Sequence, residues 1–317
     1  MTRTFTAGRI AEIAGVSRDQ IRRFESDGVL TPARDARNQR VFSIDDVTRL
    51  LDLTGRRMRK TISVVNQKGG VGKTTTVFNL ATALAMEGRS VLCLDLDAQA
   101  SLTLSYGLDT SQFAKTAHDL LTDDEVSAES VTVPTGVDGV DLIPADIRLA
   151  SADVLLREMI MREKILTTKL EVVADRYDLI ILDCPPNLST ITINALVAST
   201  DAIVPLETQF YSLKAVEDLT KTFNLLSSRM NHHLEVWMLP TKIDRRVKLA
   251  REFLATMEQT FAGRILTPVR TDANLAKAPM VCEAAVTAFP ASRGAKDYRR
   301  IARELLEKGA PPQPTDN

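Results

Sequence analysis

No stretch of this chain approaches the roughly 20 consecutive apolar residues that cross a bilayer. Its start, MTRTFTAGRI, has none of the hydrophobic run of a secretory signal. These absences argue against a helical membrane protein and lead to the expectation of a cytoplasmic chain. Cysteine is scarce as well. Cys93, Cys184 and Cys282 are far apart and odd in number, which argues against a disulfide framework or a metal cluster and makes buried thiols the expected state. Compositional bias is also missing: 44% hydrophobic and 26% charged residues describe an ordinary folded protein, neither fibrous nor disordered.

The 317 residues present supply about two domains, because single cores stop growing near ~250 residues. A formal net charge of -1 conceals an uneven distribution. Residues 1–60 hold 13 Lys/Arg against 8 Asp/Glu, and the remainder 27 against 33. A basic front and a mildly acidic body permit a nucleic-acid partner for the front segment.

That front segment reads as two short helices and a turn. AGRIAEIAG puts Ile10, Ile13 and Ala14 on one face, and Gly15 permits a bend. In VSRDQIRRFESDG, Ser17 and Gln20 have capping-box spacing, with Ile21 and Phe24 facing inward. An arginine-rich loop with a short strand follows, then SIDDVTRLLDL, a helix capped by Ser43 and Asp46. This order predicts a small winged helix-turn-helix domain over residues 1–55. TGRRMRK then supplies a basic linker at 56–60.

From residue 61 the pattern changes to apolar strands alternating with helices. Strands are expected at 61–66, at 90–96, and within YDLIILDCPP, TDAIVPL and EVWMLPT, with a helix at 74–86. The fold class expected for 61–308 is therefore α/β, a doubly wound, mostly parallel sheet with a phosphate loop. GAPPQPTDN, residues 309–317, reads as a disordered tail.

VVNQKGGVGKTTT joins the first strand to the first helix of that domain. The generic phosphate loop asks for a glycine where this chain has Gln67, but the rest is intact. Gly69, Gly70, Val71, Gly72, Lys73, Thr74 and Thr75 are expected to hold a nucleotide. The glycines let backbone N–H groups face phosphate, the helix start adds its positive end, and Lys73 reaches the β and γ phosphates. Thr74 supplies a hydroxyl to Mg²⁺. Two later strands close on carboxylates, Asp95 and Asp97 in VLCLDLDAQ and Asp183 in LIILDCPP. Strand carboxyl ends are where doubly wound folds keep catalytic groups. Asp183 is placed to hold Mg²⁺ through its water shell, and Asp97 to orient the water that attacks the terminal phosphate.

KGGVGKTT, DLDAQ and DCPP together resemble the deviant Walker ATPases of the ParA/Soj partition family, relatives of MinD, from about Thr61 to Leu306. The resemblance implies ATP and Mg²⁺ as cofactors, Thr74 and Asp183 at the metal, and Lys68, Lys73 and Asp97 as catalytic residues. Lys68 matches the signature lysine, which in that family reaches the phosphates of a second subunit across an ATP-sandwiched homodimer. Ala98 stands where the family usually has proline. The segment AEIAGVSRDQIRRFESDGVLTPARDARNQRVFSIDDV resembles the DNA-binding part of the MerR family. It lacks the usual tyrosine near the wing and the long pairing helix, so dimerisation is left to the ATPase. Arg18, Gln20, Arg22 and Arg23 are candidates for base edges or phosphates, and Arg37 and Arg40 for phosphate or minor groove.

A second basic set comprises Arg245, Arg246, Lys248, Arg251, Arg270, Lys277, Arg293 and Lys296. In partition relatives, arginines of these regions bind DNA without regard to sequence, by backbone neutralisation. Asn274 replaces a residue that is often basic there. Neither a membrane-anchoring amphipathic helix nor the paired cysteines of the iron–sulfur carrier branch is seen. The resemblance implies a segregation ATPase that dimerises on ATP and binds double-stranded DNA. A ParB-like or other cargo-bound activator would release it, and its location would be the nucleoid in the cytoplasm. The alternatives are an ATP-sensing transcriptional regulator and a positioning factor for a protein cluster such as a chemoreceptor array.

Overall fold

The computed structural model describes residues 3–208 and 212–309. Of the expected tail, residues 310–317 lie outside that set. The front segment forms β1 (Phe5–Thr6), α1 (Ala7–Ala14), α2 (Arg18–Ser26), β2 (Ala33–Arg34), β3 (Arg40–Phe42) and α3 (Ile44–Leu53). Gly15 takes φ 61 at the end of α1, the left-handed bend for which glycine is suited. Both capping boxes form, Ser17 with Gln20 and Ser43 with Asp46. Ile10, Ile21, Phe42, Val47 and Leu50 close a small core of their own. β1, which the sequence reading missed, adds a third antiparallel strand to the wing by pairing with β3.

Residues 56–60 are held down rather than loose. Arg57 Nε donates to Asp178 at 3.1 Å, Met58 is buried, and Lys60 opens the large sheet with its ammonium 2.9 Å from Asp201.

The large domain continues with β4 (Lys60–Val64), α4 (Lys73–Met86), β5 (Val91–Asp95), α5 (Ser101–Ser105), α6 (Ala117–Thr122) and α7 (Ala128–Val131). After these come β6 (Val133–Pro134), β7 (Val140–Ile143), α8 (Leu149–Arg157), α9 (Ile165–Glu171), β8 (Leu179–Asp183), α10 (Thr190–Val197) and β9 (Asp201–Glu207). The remainder is α11 (Ser212–Met230), β10 (Glu235–Thr241), α12 (Lys248–Thr260), α13 (Ala273–Lys277), α14 (Ala285–Ala288) and α15 (Arg293–Gly309). The seven strands are ordered β10-β9-β4-β8-β5-β7-β6, parallel except for the edge pair β6–β7. β6 and β7 had no counterpart in the sequence reading.

Successive residues of β8 alternate between two cores. Leu179 and Ile181 join Phe78 and Tyr298 on the face covered by α4 and α15, while Ile180 and Leu182 join Leu166 and Leu196 on the other. Burial on both faces explains why these strands read as continuous apolar runs. The chain winds outward from β4 to β7 and β6, returns to β8, then leaves on the other side through β9 and β10. The crossovers therefore diverge around β4 and β8, and open sheets of this kind keep their ligand crevice at such a point.

The small domain rests against the far end of α4. Glu87 accepts hydrogen bonds from the Arg9 and Arg303 guanidiniums. A Cβ built on Gly88 would lie 3.1 Å from the methyls of Ile13 and Val47, and one on Gly139 would overlap the side chain of Ile44. The seat thus depends on two side-chain-free positions, both at positive φ. Cys93 and Cys184 are buried as expected, but Cys282 is exposed. It ends the short helical turn Ala278–Val281 in a left-handed conformation, outside both cores.

Candidate nucleotide site

Pairing register brings the site together. Asp183, at the end of β8, lies opposite Val64 on one side and Asp95 on the other. The strand preceding the glycine loop and the two carboxylate-bearing strands thus end in a row. The loop turns with Gly70 at φ 75 and Gly72 at φ 98, and Gly72 caps α4. Beside Gly69 and Gly70 the space a side chain would fill is open. Asn66 anchors the base of the loop, its amide donating to the Pro205 carbonyl at 2.7 Å and its oxygen accepting from Lys68 N at 2.9 Å.

A cavity of about 530 Å³ opens above this turn. Gly69, Gly70, Gly72, Lys73, Thr74, Thr75 and Asp97 line it, with Ser101, Leu104 and Pro186 opposite. Of the loop residues expected to hold a nucleotide, only Val71 is not among its walls. The Val71 side chain is buried and its carbonyl accepts from Thr241 Oγ1 at 2.9 Å. A second cavity of about 220 Å³ shares Gly72 and Thr75 and runs on between Thr241, Lys242, Val269, Thr271 and Leu275. The glycine-rich turn thus forms a wall common to the two cavities.

Lys73 is 7% exposed. Burial lowers the pKa of its ammonium, and Asp183 and Asp97 oppose that shift. Asp183 is the inverse case. Burial, then the neighbouring Asp95, holds its carboxyl well above the ordinary range, and Thr74 and Lys73 only partly offset this. Neither Asp183 oxygen has a hydrogen-bond partner of good geometry. An orphaned buried carboxylate is costly, and beside the Thr74 hydroxyl it forms a hard oxygen donor set suited to Mg²⁺.

Asp95 is fully buried but satisfied by Thr103 N at 2.9 Å and Thr103 Oγ1 at 2.8 Å, so its role is to fix the loop. That loop presents Asp97, half-buried at the cavity wall, with its carbonyl accepting from Ala100 N at 2.8 Å.

Lys68 stands just outside the cavity. Its ammonium lies 3.0 Å from Glu207 Oε2, and the other Glu207 oxygen pairs with Lys242. Lys242, a non-glycine residue at φ 55, also donates to the Gly70 carbonyl at 2.6 Å. The sequence reading missed both Glu207 and Lys242, because neither belongs to a local motif.

On the small domain, Arg18, Gln20, Arg22 and Arg23 are exposed on α2. The side-chain oxygen of Gln20 is engaged by the cap, accepting from Ser17 N at 2.8 Å, which leaves its amide group to face a partner. Arg18, Arg22 and Arg40 line a cleft of about 440 Å³ together with Arg34, a wing residue the sequence reading left out. Arg40 is ion-paired to Glu25, and Arg37 is exposed in the wing turn.

The late basic set divides. Arg245, Arg246, Lys248 and Arg251 are exposed beyond β10, although Arg246 is paired with Asp244. Arg270 is bound through its fork to Asp297 at 2.7 and 2.9 Å and lines the narrower cavity, so its charge is largely matched within the chain.

The AAA domain family model matches residues 59–236, and the model for MerR HTH family regulatory proteins matches residues 5–53. Over 254 residues the chain is 36% identical to the sporulation initiation inhibitor protein Soj of Bacillus subtilis (strain 168), covering 80% of this chain and 100% of that protein. It is 32% identical over 255 residues to the chromosome partitioning protein ParA of Myxococcus xanthus, covering 80% and 90%. Among solved structures, a cobyrinic acid a,c-diamide synthase from Mycobacterium smegmatis with bound ADP and magnesium is similar at TM-score 0.68 and 33% identity, over 79% of this chain and 95% of that one. Apo McdA of Cyanothece shares the fold at TM-score 0.70 and 22% identity, over 78% and 99%. Matched along the whole of Soj, and over more than half of its own length by an ATPase family model, the chain belongs to the ParA/Soj-type partition ATPases and carries a MerR-type helix-turn-helix domain in front.

Proposed function

We propose that the protein is an Mg²⁺-dependent ATPase of DNA segregation, whose subunits pair across bound ATP, bind double-stranded DNA as a pair, and separate after hydrolysis stimulated by a ParB-like or other cargo-bound partner. The observation that carries this reading is the arrangement of two lysines around one glycine loop. Lys73 is buried within the loop's own chamber, and Lys68 is held at its rim. Lys73 and the loop N–H groups hold the β and γ phosphates, Thr74 and Asp183 hold the metal, and Asp97 orients the attacking water. When bound, the metal would supply neutralisation of the charge that develops on the phosphates. Lys68 extends to the phosphates of the partner subunit, so pairing depends on nucleotide. The exposed α2 and wing read DNA at one end of the subunit, and the arginines beyond β10 neutralise backbone at the other.

The test is hydrolysis, self-association and duplex binding of the Lys68→Ala, Lys73→Ala and Asp97→Ala proteins across a salt series. Lys73→Ala should lose ATP binding. Lys68→Ala should bind ATP without pairing, and Asp97→Ala should pair without turnover. A Lys68→Ala protein that pairs on ATP and binds DNA as the parent does would overturn the cross-subunit reading. A footprint confined to one promoter, with no stimulated turnover, would favour an ATP-sensing regulator instead.

A further inference from the structure

Glu207 closes β9 and is 8% exposed, yet it faces two ammonium groups. Lys68 reaches one of its oxygens at 3.0 Å and Lys242 the other. Lys68 is fixed through its backbone, since its N–H donates to Asn66 and its carbonyl lies 3.4 Å from the Lys73 ammonium. Only its side chain is left to move, and in this conformation that side chain lies against its own subunit. A lysine paired to a carboxylate in its own chain cannot at the same time reach phosphates in another.

We propose that Glu207 is a positioning residue that parks Lys68 in the single subunit and so sets the protein concentration at which ATP brings two subunits together. The proposal rests on the cross-subunit reading of Lys68 given above. Lys242 makes the release of Lys68 inexpensive. It is anchored on the Gly70 carbonyl as well as on Glu207. When Lys68 departs, Glu207 keeps Lys242 and is not left as an unpaired buried charge, the outcome that makes breaking such pairs costly. The carboxylate and its two lysines therefore form a latch with one fixed and one removable half. Lys68 is exchanged between the Glu207 carboxylate and a triphosphate of higher charge, and the exchange becomes favourable only when the second subunit arrives loaded.

Glu207→Gln keeps shape and hydrogen-bonding capacity but removes the charge that attracts Lys68. With saturating ATP and Mg²⁺, the concentration for half-maximal pairing in analytical ultracentrifugation should fall on the order of tenfold, because two parked lysines are released per pair and each is a partly exposed ion pair. Thermal unfolding without nucleotide reports whether the variant is folded. The Lys68→Ala,Glu207→Gln double variant should pair no better than Lys68→Ala alone, a dependence that a merely structural role for Glu207 would not produce. If Lys68→Ala pairs as the parent does, the cross-subunit reading fails. If Lys68→Ala loses pairing while Glu207→Gln needs as much protein as the parent or more, or if Glu207→Gln improves pairing equally in the Lys68→Ala background, the parking role alone is refuted.

Discussion

Replacing Asp183 with asparagine should stabilise the nucleotide-free protein and at the same time remove its response to magnesium. Asp183 is 1% exposed, and neither of its oxygens has a hydrogen-bond partner of good geometry. Burial and the adjacent Asp95 hold its carboxyl well above the ordinary range. An unsatisfied buried polar group costs about 1–3 kcal/mol, more when charged. Asparagine retains the shape and some polarity, so a gain on the order of 1 kcal/mol is expected. For a domain of about 250 residues that is a rise of about 2–4 °C in Tm. ATP with Mg²⁺ at ~100 times its Kd contributes about 2.7 kcal/mol by linkage, or about 5–10 °C on the same scale. In Asp183→Asn the ATP-dependent increment should shrink to the value that the parent shows in EDTA. The assay is thermal unfolding with and without ATP, in Mg²⁺ or EDTA. A variant that melts below the parent without nucleotide, and keeps the full Mg²⁺-dependent increment, would refute the reasoning.

The buried Asp95–Asp183 pair also predicts a pH dependence. Burial raises the folded-state pKa of Asp95 to about 6, above the ~3.9 of an unfolded chain. Stability from this source is therefore complete below about pH 4 and is lost as pH rises through about 6. The stability difference between parent and Asp95→Asn, measured by urea unfolding without nucleotide, should drift against the parent by on the order of 3 kcal/mol across that window; a flat difference would contradict it. On the small domain, Arg18→Ala together with Arg22→Ala should weaken duplex binding and reduce the slope of log affinity against log salt by about 2, roughly one unit per lost phosphate contact. An unchanged slope in fluorescence anisotropy would remove these residues from the DNA surface. Gly88→Ala adds a methyl at φ 80 against Ile13 and Val47, so it should cost about 1 kcal/mol or more. It should also speed tryptic cleavage within residues 54–60, with unchanged cleavage counting against the seat.

What was legible in the sequence was what neighbouring residues decide. Ser17 with Gln20 and Ser43 with Asp46 announced helix starts, and both capping boxes form. The apolar runs around Cys93 and Ile181 announced strands buried on both faces, and the glycine-lysine loop announced an anion at a strand-to-helix turn. What was hidden depends on register between distant segments. Glu207 is 139 residues from Lys68 and carries no motif, and only the pairing of β9 with β4 brings it to the loop. Lys242 is likewise unremarkable in TKID until β10 docks beside β9. β1 and β6 span two residues each, too few for an alternation to register. Arg270 looked like its neighbours in a basic series, and only the fold revealed Asp297 beneath it.

α4 begins at the phosphate loop and is capped at its far end by Glu87, where Arg9 of the small domain takes hold. Its 14 residues separate the two by about 21 Å. Where two such helices point away from a shared nucleotide interface, their far ends, and the small domains seated there, would stand more than about 40 Å apart. At that span half-sites one helical turn apart, about 34–36 Å, would be too close, and a single duplex would have to offer them at a larger multiple of the turn.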